Sequence, residues 1–311
     1  MKISVVIPLF NKRKTILNTL DSVFRQTYPP FEIVIINDGS TDGSEKLVYE
    51  SKNPILKIFN QPNKGVSAAR NEGINKSNGD WIAFLDADDI WKDNYLETIS
   101  FLHTSFPECE VLATSYEFES YNGVKKASVV KRLMFKNDYG ILKNYFEVAS
   151  CSNPPLWTSA LVVKKSALLD IGGFPSGVNA GEDLITWAKL AVKYKIAYSN
   201  KILAVFVLDR VHSVSEKPGR LPDANDFVGN ELLRLKTSSD GKIKSDIGKY
   251  ISLWYKMKAS AFLRNGEFRN VWLNGCKSLK YNLFNYKVYL FLLMTFLPLK
   301  VRKSIARLYS E

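Results

Sequence analysis

Four short apolar runs divide residues 1–90, and each stops on polar residues. Ile3 to Ile7 is closed by Pro8. Phe31 to Ile36 runs into Asn37-Asp38-Gly39-Ser40-Thr41-Asp42-Gly43, Leu56 to Phe59 gives way to a polar loop, and Trp81 to Leu85 ends on Asp86-Ala87-Asp88-Asp89. Short β-rich runs bounded by turn residues read as strands, here apolar enough to be buried on both faces. Between them the spacing predicts helices over Lys12 to Gln26, where Ile16, Leu17, Leu20, Val23 and Phe24 recur at helical intervals, over Ser44 to Ser51 and over Gly65 to Lys76. Such alternation implies a parallel sheet with helices on both faces, whose strand ends converge on one edge.

After Asp89 the alternation loosens. A helix is predicted from Asp93 to Thr104, strands over Val111 to Phe118 and Val124 to Val130, a helix over Tyr139 to Val148 and a strand over Trp157 to Val163. A turn at Gly172-Gly173-Phe174-Pro175 leads to Gly181-Glu182-Asp183, which opens a helix bearing Leu184, Ile185, Trp187, Leu190, Ala191 and Tyr194. Ile202 to Leu208 is the last strand, and a boundary is expected between Arg210 and Asp223. The expected organisation is a domain at 1–215, in halves at 1–90 and 91–215, followed by a helical, basic region at 216–311.

The net charge of +12 is unevenly placed. Residues 231–311 hold 16 Lys and Arg against 5 Asp and Glu, a net +11, which leaves +1 for residues 1–230. A basic tail on a neutral body suits an anionic surface met by the tail rather than a DNA-binding core, and no recognition motif for nucleic acid accompanies the charge. Cys109, Cys151 and Cys276 are odd in number and widely spaced, which suggests neither a disulfide framework nor a zinc site. The apolar run before Pro8 is too short for a signal-peptide core, so a cytoplasmic chain is expected.

Three strand-end elements carry candidate chemistry. Asp86 and Asp88 are hard oxygen donors at i and i+2, able to hold Mg²⁺ or Mn²⁺ together with phosphates, although an isolated Asp-x-Asp also reads as a solvated acidic loop. Asp38 can accept from a nucleobase N–H or a ribose hydroxyl, or can merely satisfy backbone N–H groups as an Asx-turn. Gly65, before small residues, frees a helix N-terminus for an anion, and Arg70 sits one turn in, or is an ordinary surface arginine. Further on, Glu182-Asp183 offers a general base, or decorates a helix start to suit its dipole. His212 is either a metal ligand or a surface residue, and His103 falls on a predicted helix.

Ile7-Pro8-Leu9-Phe10-Asn11, Glu32 through Asp42, Asn63 through Asn71, Gly79 through Asp89 and Gly181-Glu182-Asp183 together resemble the inverting glycosyltransferases of family 2, in order and spacing over residues 1 to 215. The resemblance implies a GT-A fold, an α/β Rossmann-like architecture with a mixed, mostly parallel sheet, here with a helical, basic C-terminal appendage. It implies a nucleotide-sugar donor, UDP-linked, bound by Pro8, Asn11, Asp38, Asn63, Gly65, Arg70, Asp86 and Ala87. It further implies Mn²⁺ or Mg²⁺ held by Asp88, with Asp86 and His212 beside it, Asp183 as base and Glu182 as its neighbour. Asn37 departs from the pattern, since many relatives carry Asp there.

The tail bears on the acceptor. Val288 to Leu299 is apolar but too short to span a bilayer, which needs about 20 residues. Flanked by Lys287, Lys300, Arg302, Lys303 and Arg307, the segment 281–311 suits a membrane interface, or packs on the catalytic domain or in a dimer. The sequence therefore leads to an expectation of a glycosyltransferase peripheral to the inner face of the membrane, acting on a glycan or lipid-linked glycan in cell-surface polysaccharide synthesis. Two rivals are weighed. A sugar nucleotidyltransferase would carry a Gly-rich, basic loop where Pro8-Leu9-Phe10-Asn11 stands, and a non-catalytic nucleotide-sugar-binding relative would have lost the Asp-x-Asp or the base.

Overall fold

A computed structural model describes residues 1–208, 221–223, 225–298 and 301–302. The chain forms two compact units, Met1–Gly177 with Glu182–Val207, and Val178–Gly181 with Leu208–Glu311.

In the first unit the strands are β1 (Ile3–Leu9), β2 (Glu32–Asn37), β3 (Leu56–Asn60), β4 (Trp81–Phe84), β5 (Ile90–Trp91), β6 (Val111–Ser120), β7 (Lys125–Ala127), β8 (Tyr139–Ile141), β9 (Leu161–Lys164) and β10 (Ile196–Leu208). The helices are α1 (Ile16–Phe24), α2 (Ser44–Glu50), α3 (Val66–Lys76), α4 (Tyr95–Ser105), α5 (Tyr145–Cys151), α6 (Lys165–Asp170) and α7 (Glu182–Lys193). The strands lie in the order β3-β2-β1-β4-β9-β6-β10-β5, with β7 on β6 and β8 on β10.

Where the sequence alternates regularly the pairing is parallel, Val6 lying opposite both Val34 and Phe84. Beyond β4 it turns antiparallel, Ala83 facing Val162 and Ala204 facing Trp91. The result is the mixed sheet with flanking helices read from the sequence. Its second half departs from an all-parallel arrangement, with β4 on β9, β9 on β6 and β10 on β5 all antiparallel. Helix α3 lies directly on β1, since a Cβ on Gly73 would come within 2.2 Å of Val6 Cγ1. At the opposite end from the polar loops, buried Glu32 accepts from Ser4 Oγ at 2.7 Å, Lys57 Nζ at 2.7 Å and the Asn78 N–H, and so latches three strands together.

Several boundaries differ from the sequence reading, each because tertiary pairing overrides local pattern. Tyr139 to Val148 is not one helix. Its first residues form β8 against β10, with Gly140 close under Phe135, and α5 starts at Tyr145. The expected strand at Trp157 begins only at Leu161, after a 3-10 turn at Thr158–Ala160. Strand β10 starts at Ile196 rather than Ile202, held by β8 at one end and β5 at the other. His103 lies on α4, its ring edge-on to Trp81 at 5.0 Å.

The second unit contains α8 (Phe227–Thr237), α9 (Gly241–Asn265), α10 (Phe268–Tyr281) and α11 (Tyr286–Met294). Val288, Leu292 and Met294 of α11 join Ala259, Phe262 and Val271 in its core. The Asp226 carboxylate accepts from Trp254 Nε1 at 3.0 Å and from the buried Lys258 ammonium at 2.9 Å. Gly181 has φ +85°, and a Cβ there would strike Trp254 at 2.6 Å, so this position demands glycine twice over. Among the described residues no helix is long and apolar enough to cross a membrane.

Candidate active site

Parallel pairing sets the C-terminal ends of β1, β2, β3 and β4 along one edge, and the loops leaving them interlock. After β1, Asn11 adopts φ +52°, a left-handed conformation that asparagine tolerates. Its Oδ1 accepts the Thr41 N–H at 2.8 Å, and its own N–H donates to Ser40 Oγ at 3.1 Å. The departing residue Asn37 donates to Asn60 Oδ1 at 2.9 Å and accepts the Ser40 N–H, so two neutral amides face each other where an aspartate would bring a charge.

Asp38 is 2% exposed, and both its oxygens are engaged by the loop before α3. Oδ1 accepts from Gln61 Nε2 at 2.7 Å and the Lys64 N–H at 2.8 Å, and Oδ2 accepts the Gly65 N–H at 2.9 Å. The Asx-type role weighed from sequence is therefore present, directed at a neighbouring loop. Gly39, at φ +76°, brings its backbone against Asn63, whose N lies 3.0 Å from where a Cβ would stand. Asn63 and Gly65 are exposed, Pro8 is partly exposed within β1, and Ala87 is buried with its carbonyl accepting from Thr15 Oγ1 at 2.8 Å.

Arg70, 4% exposed on α3, is the centre of the charged cluster. Nη2 donates to Asp86 Oδ1 at 2.8 Å, Nη1 lies 3.8 Å from Glu182 Oε1, and the guanidinium sits 5.2 Å from the centroid of the Phe174 ring. Burial disfavours its charge, but Asp86, Glu182 and Asp183 outweigh that and hold it protonated. Among the described residues its Nε and Nη1 meet no hydrogen-bond acceptor. Phe174 packs edge-on to Phe84 and Trp187, so the Gly-Gly-Phe turn lies against the strand that ends at Asp86 and the helix that begins at Glu182.

Glu182 and Asp183 form the first turn of α7, Glu182 8% exposed and Asp183 partly buried. Burial pushes the Asp183 carboxyl above the ordinary carboxylate range, Asp86 pushes the same way, and Arg70 and the Leu184 N–H oppose it. The structure thus brings Arg70, Asp86, Glu182 and Asp183 into one electrostatic cluster. His212 lies outside the described residues.

Four features escaped the sequence reading. Lys12 is ion-paired to Asp88 Oδ2, a partner that its place in a Lys-Arg-Lys run does not specify. Ser159, on the 3-10 turn, accepts the Asp86 N–H at 3.1 Å and donates to Asp89 Oδ2. Asp89 is fully buried and also accepts the Val207 N–H at 3.3 Å, so it ties the loop to β10. Burial, with Asp86 and Asp88 nearby, raises its carboxyl well above the ordinary range. Asn71 fixes Phe174 by two hydrogen bonds.

Asp86 and Asp88 are partly exposed hard donors, one oxygen of each engaged by a cation. Among the described residues no three His, Cys, Asp or Glu side chains form a metal cage. The donor set fits Mg²⁺ or Mn²⁺ taken through one or two carboxylates, with phosphate oxygens and water completing the shell.

Residues 4–153 match the family model for glycosyl transferase family 2. An uncharacterized glycosyltransferase of Rickettsia bellii is 32% identical over 204 residues, which cover 65% of this chain and 28% of that protein, so the chain spans less than a third of its length. A putative teichuronic acid biosynthesis glycosyltransferase of Bacillus subtilis, TuaG, is 28% identical over 238 residues, covering 75% of this chain and 89% of that one. The crystal structure of Staphylococcus aureus TarS 1-349 in complex with UDP-GlcNAc superposes with a TM-score of 0.65 at 18% identity, covering 99% of this chain and 91% of that one. The chain carries a family 2 glycosyltransferase domain, set in a GT-A fold.

Proposed function

We propose that the chain transfers a sugar, with inversion, from a UDP-sugar to a hydroxyl of a glycan or lipid-linked glycan in cell-surface polysaccharide synthesis. The observation that carries this reading is the buried Arg70, which binds Asp86 of the Asp-x-Asp and lies beside Glu182 of the second carboxylate pair. One fixed cation thereby joins the residues assigned to the donor and those assigned to the acceptor. TuaG, named for teichuronic acid biosynthesis, and TarS, solved with UDP-GlcNAc, support the choice of polymer and nucleotide.

In this reading the base and ribose rest on the interlocked loops around Asn11, Asp38 and Asn63, with Pro8 at the strand edge. Gly65 presents the start of α3, and Arg70 supports the diphosphate side through Asp86. Asp183 takes the proton of the acceptor hydroxyl as its oxygen bonds to the anomeric carbon and the bond to the diphosphate breaks. Glu182 holds Arg70 and the loop in place. A divalent cation bound at Asp88 and Asp86, with His212 as a further donor, would offset the charge that develops on the leaving diphosphate.

The C-terminal region extends the reading to the membrane. Leu283, Phe284, Tyr286 and Phe296 are 66%, 92%, 72% and 76% exposed, beside the basic residues Lys280 and Lys287. Large exposed apolar groups with lysines suit an anionic interface, and the protein is assigned to the inner face as a peripheral protein. Calorimetric titration with UDP, GDP and their sugars, with and without Mn²⁺, tests the donor assignment. Selective, Mn²⁺-enhanced binding of the uridine ligands is expected, and failure to bind any of them would refute it.

A further inference from the structure

Two cations sit on the Asp-x-Asp, and they differ in how freely they can leave. Arg70 is 4% exposed, donates to Asp86 and stacks on Phe174, so it is fixed. Lys12 pairs with Asp88 through a side chain 34% exposed. Lysine carries a compact charge on a flexible stem and can change partners without moving the backbone.

Its delivery to Asp88 is nevertheless built into the fold. The loop that carries it is pinned on both flanks. Asn11 clasps Thr41 at 2.8 Å, the Arg13 N–H donates to Asp42 Oδ2 at 2.9 Å, and Thr15 Oγ1 donates to the Ala87 carbonyl at 2.8 Å. The residue preceding Asp88 is thus hydrogen-bonded to the same loop that presents Lys12. A chance surface pair would have no such scaffold.

We propose that Lys12 is an exchangeable counter-ion of Asp88 that couples divalent-cation binding to donor binding. The inference rests on reading the site as one for a nucleotide diphosphate and its metal. Without nucleotide, Lys12 neutralises Asp88 and repels a second cation. An arriving diphosphate offers the ammonium acceptors of higher charge, and Lys12 moves to it, which releases Asp88. Metal and nucleotide then each raise the affinity of the other by the same factor, as linkage requires. Arg70, held in place, keeps Asp86 oriented throughout.

Full-length protein, wild type and as Lys12→Met, Lys12→Arg and Lys12→Met/Asp88→Ala, is titrated with Mn²⁺ followed by electron paramagnetic resonance, and with UDP followed by calorimetry. Each titration is repeated with the other ligand saturating. Because a partly exposed ion pair adds little to stability, Lys12→Met is expected to fold, which a thermal melt verifies. It should bind Mn²⁺ alone about threefold to tenfold more tightly and UDP alone about tenfold more weakly, with the mutual enhancement falling toward one. Lys12→Arg should preserve the coupling, and Asp88→Ala should remove the gain in Mn²⁺ affinity. Unchanged or weaker Mn²⁺ binding by Lys12→Met, or undiminished coupling, overturns the proposal while leaving the donor assignment standing. Absence of any UDP binding by the wild type overturns the site reading itself.

Discussion

Asn71 and the backbone of Phe174 exchange two hydrogen bonds, Nδ2 to the Phe174 carbonyl and the Phe174 N–H to Oδ1, each at 2.8 Å. A side chain of α3, one position after Arg70, thereby completes the backbone of a turn more than a hundred residues later in the chain. The turn approaches so closely that a Cβ on Gly173, already at φ +66°, would lie 2.5 Å from Asn71 Oδ1. Asn71→Ala should cost about 1–3 kcal/mol, the expected loss for two hydrogen bonds whose backbone partners stay partly buried. It should also release Phe174 from beneath Arg70, so donor affinity should fall along with the melting temperature. A variant that melts lower but binds UDP unchanged would limit Asn71 to a structural role.

The polar edge of the sheet was readable because each parallel strand there ends in a compact polar cluster, and a parallel sheet can only set those ends side by side. That logic singled out Asp38, Arg70 and Asp86 as candidates, with an Asx-turn, a surface arginine and a solvated acidic loop as the alternatives, and the family resemblance is what pointed them to a nucleotide-sugar. Ser159 and Asp89 were not singled out. Ser159 lies in a run whose apolar residues read as a strand, and only the pairing of β9 with β4 and β6 shows that the chain turns first and extends afterwards. Nothing local to Asp89 specifies burial; it is buried because the fold brings the 3-10 turn and β10 to it, Ser159 Oγ and the Val207 N–H donating to its carboxylate. Lys12 gave no signal by itself, since one lysine in a basic run specifies no partner until the fold brings Asp88 beside it.

Asp183 gives the sharpest kinetic expectation. Asp183→Asn keeps the volume and the helix start but cannot accept a proton, so turnover should fall by about 10²- to 10⁴-fold while UDP-sugar affinity changes little. The wild-type pH profile should carry the same signature. A base must be ionised, and burial, reinforced by Asp86, places the Asp183 carboxyl above the ordinary carboxylate range. Activity should therefore be lost as pH falls through this raised value, at a higher pH than an exposed aspartate would give. Normal turnover by the asparagine variant would remove Asp183 from the chemistry.

Glu32 gives a stability expectation at the far end of the same strands. Burial alone would raise its carboxyl, but the hydrogen bonds from Lys57, Asn78 and Ser4 outweigh that and hold it at about 2, below the ordinary value of 4.5. A depressed folded-state value stabilises the protein above the unfolded value, and the benefit is lost as pH falls from about 4.5 toward 2. The window corresponds to roughly 3 kcal/mol. Urea denaturation of the wild type should show this loss on acidification, and Glu32→Gln should be destabilised at neutral pH and flatter across that interval. A parallel pH dependence in both proteins would show that Glu32 is not the group responsible.

The C-terminal helices offer a test of membrane association that spares the fold. Removing residues 281–311 would strip Val288, Leu292 and Met294 from a packed core and confound the result. Leu283 and Phe284, in contrast, stand 66% and 92% exposed in the turn before α11 and are not part of that core. Burying a leucine or phenylalanine in an interface contributes about 1.5–3 kcal/mol, so Leu283→Asp/Phe284→Asp should lower partitioning onto vesicles containing phosphatidylglycerol by about a hundredfold or more. Lys287→Glu should weaken binding by a smaller amount, about 1 kcal/mol, that disappears at high salt. Melting temperature should stay within a few degrees of wild type in both variants, since the altered groups are exposed. Equal sedimentation of wild type and the double variant with anionic vesicles would exclude this turn as the membrane contact.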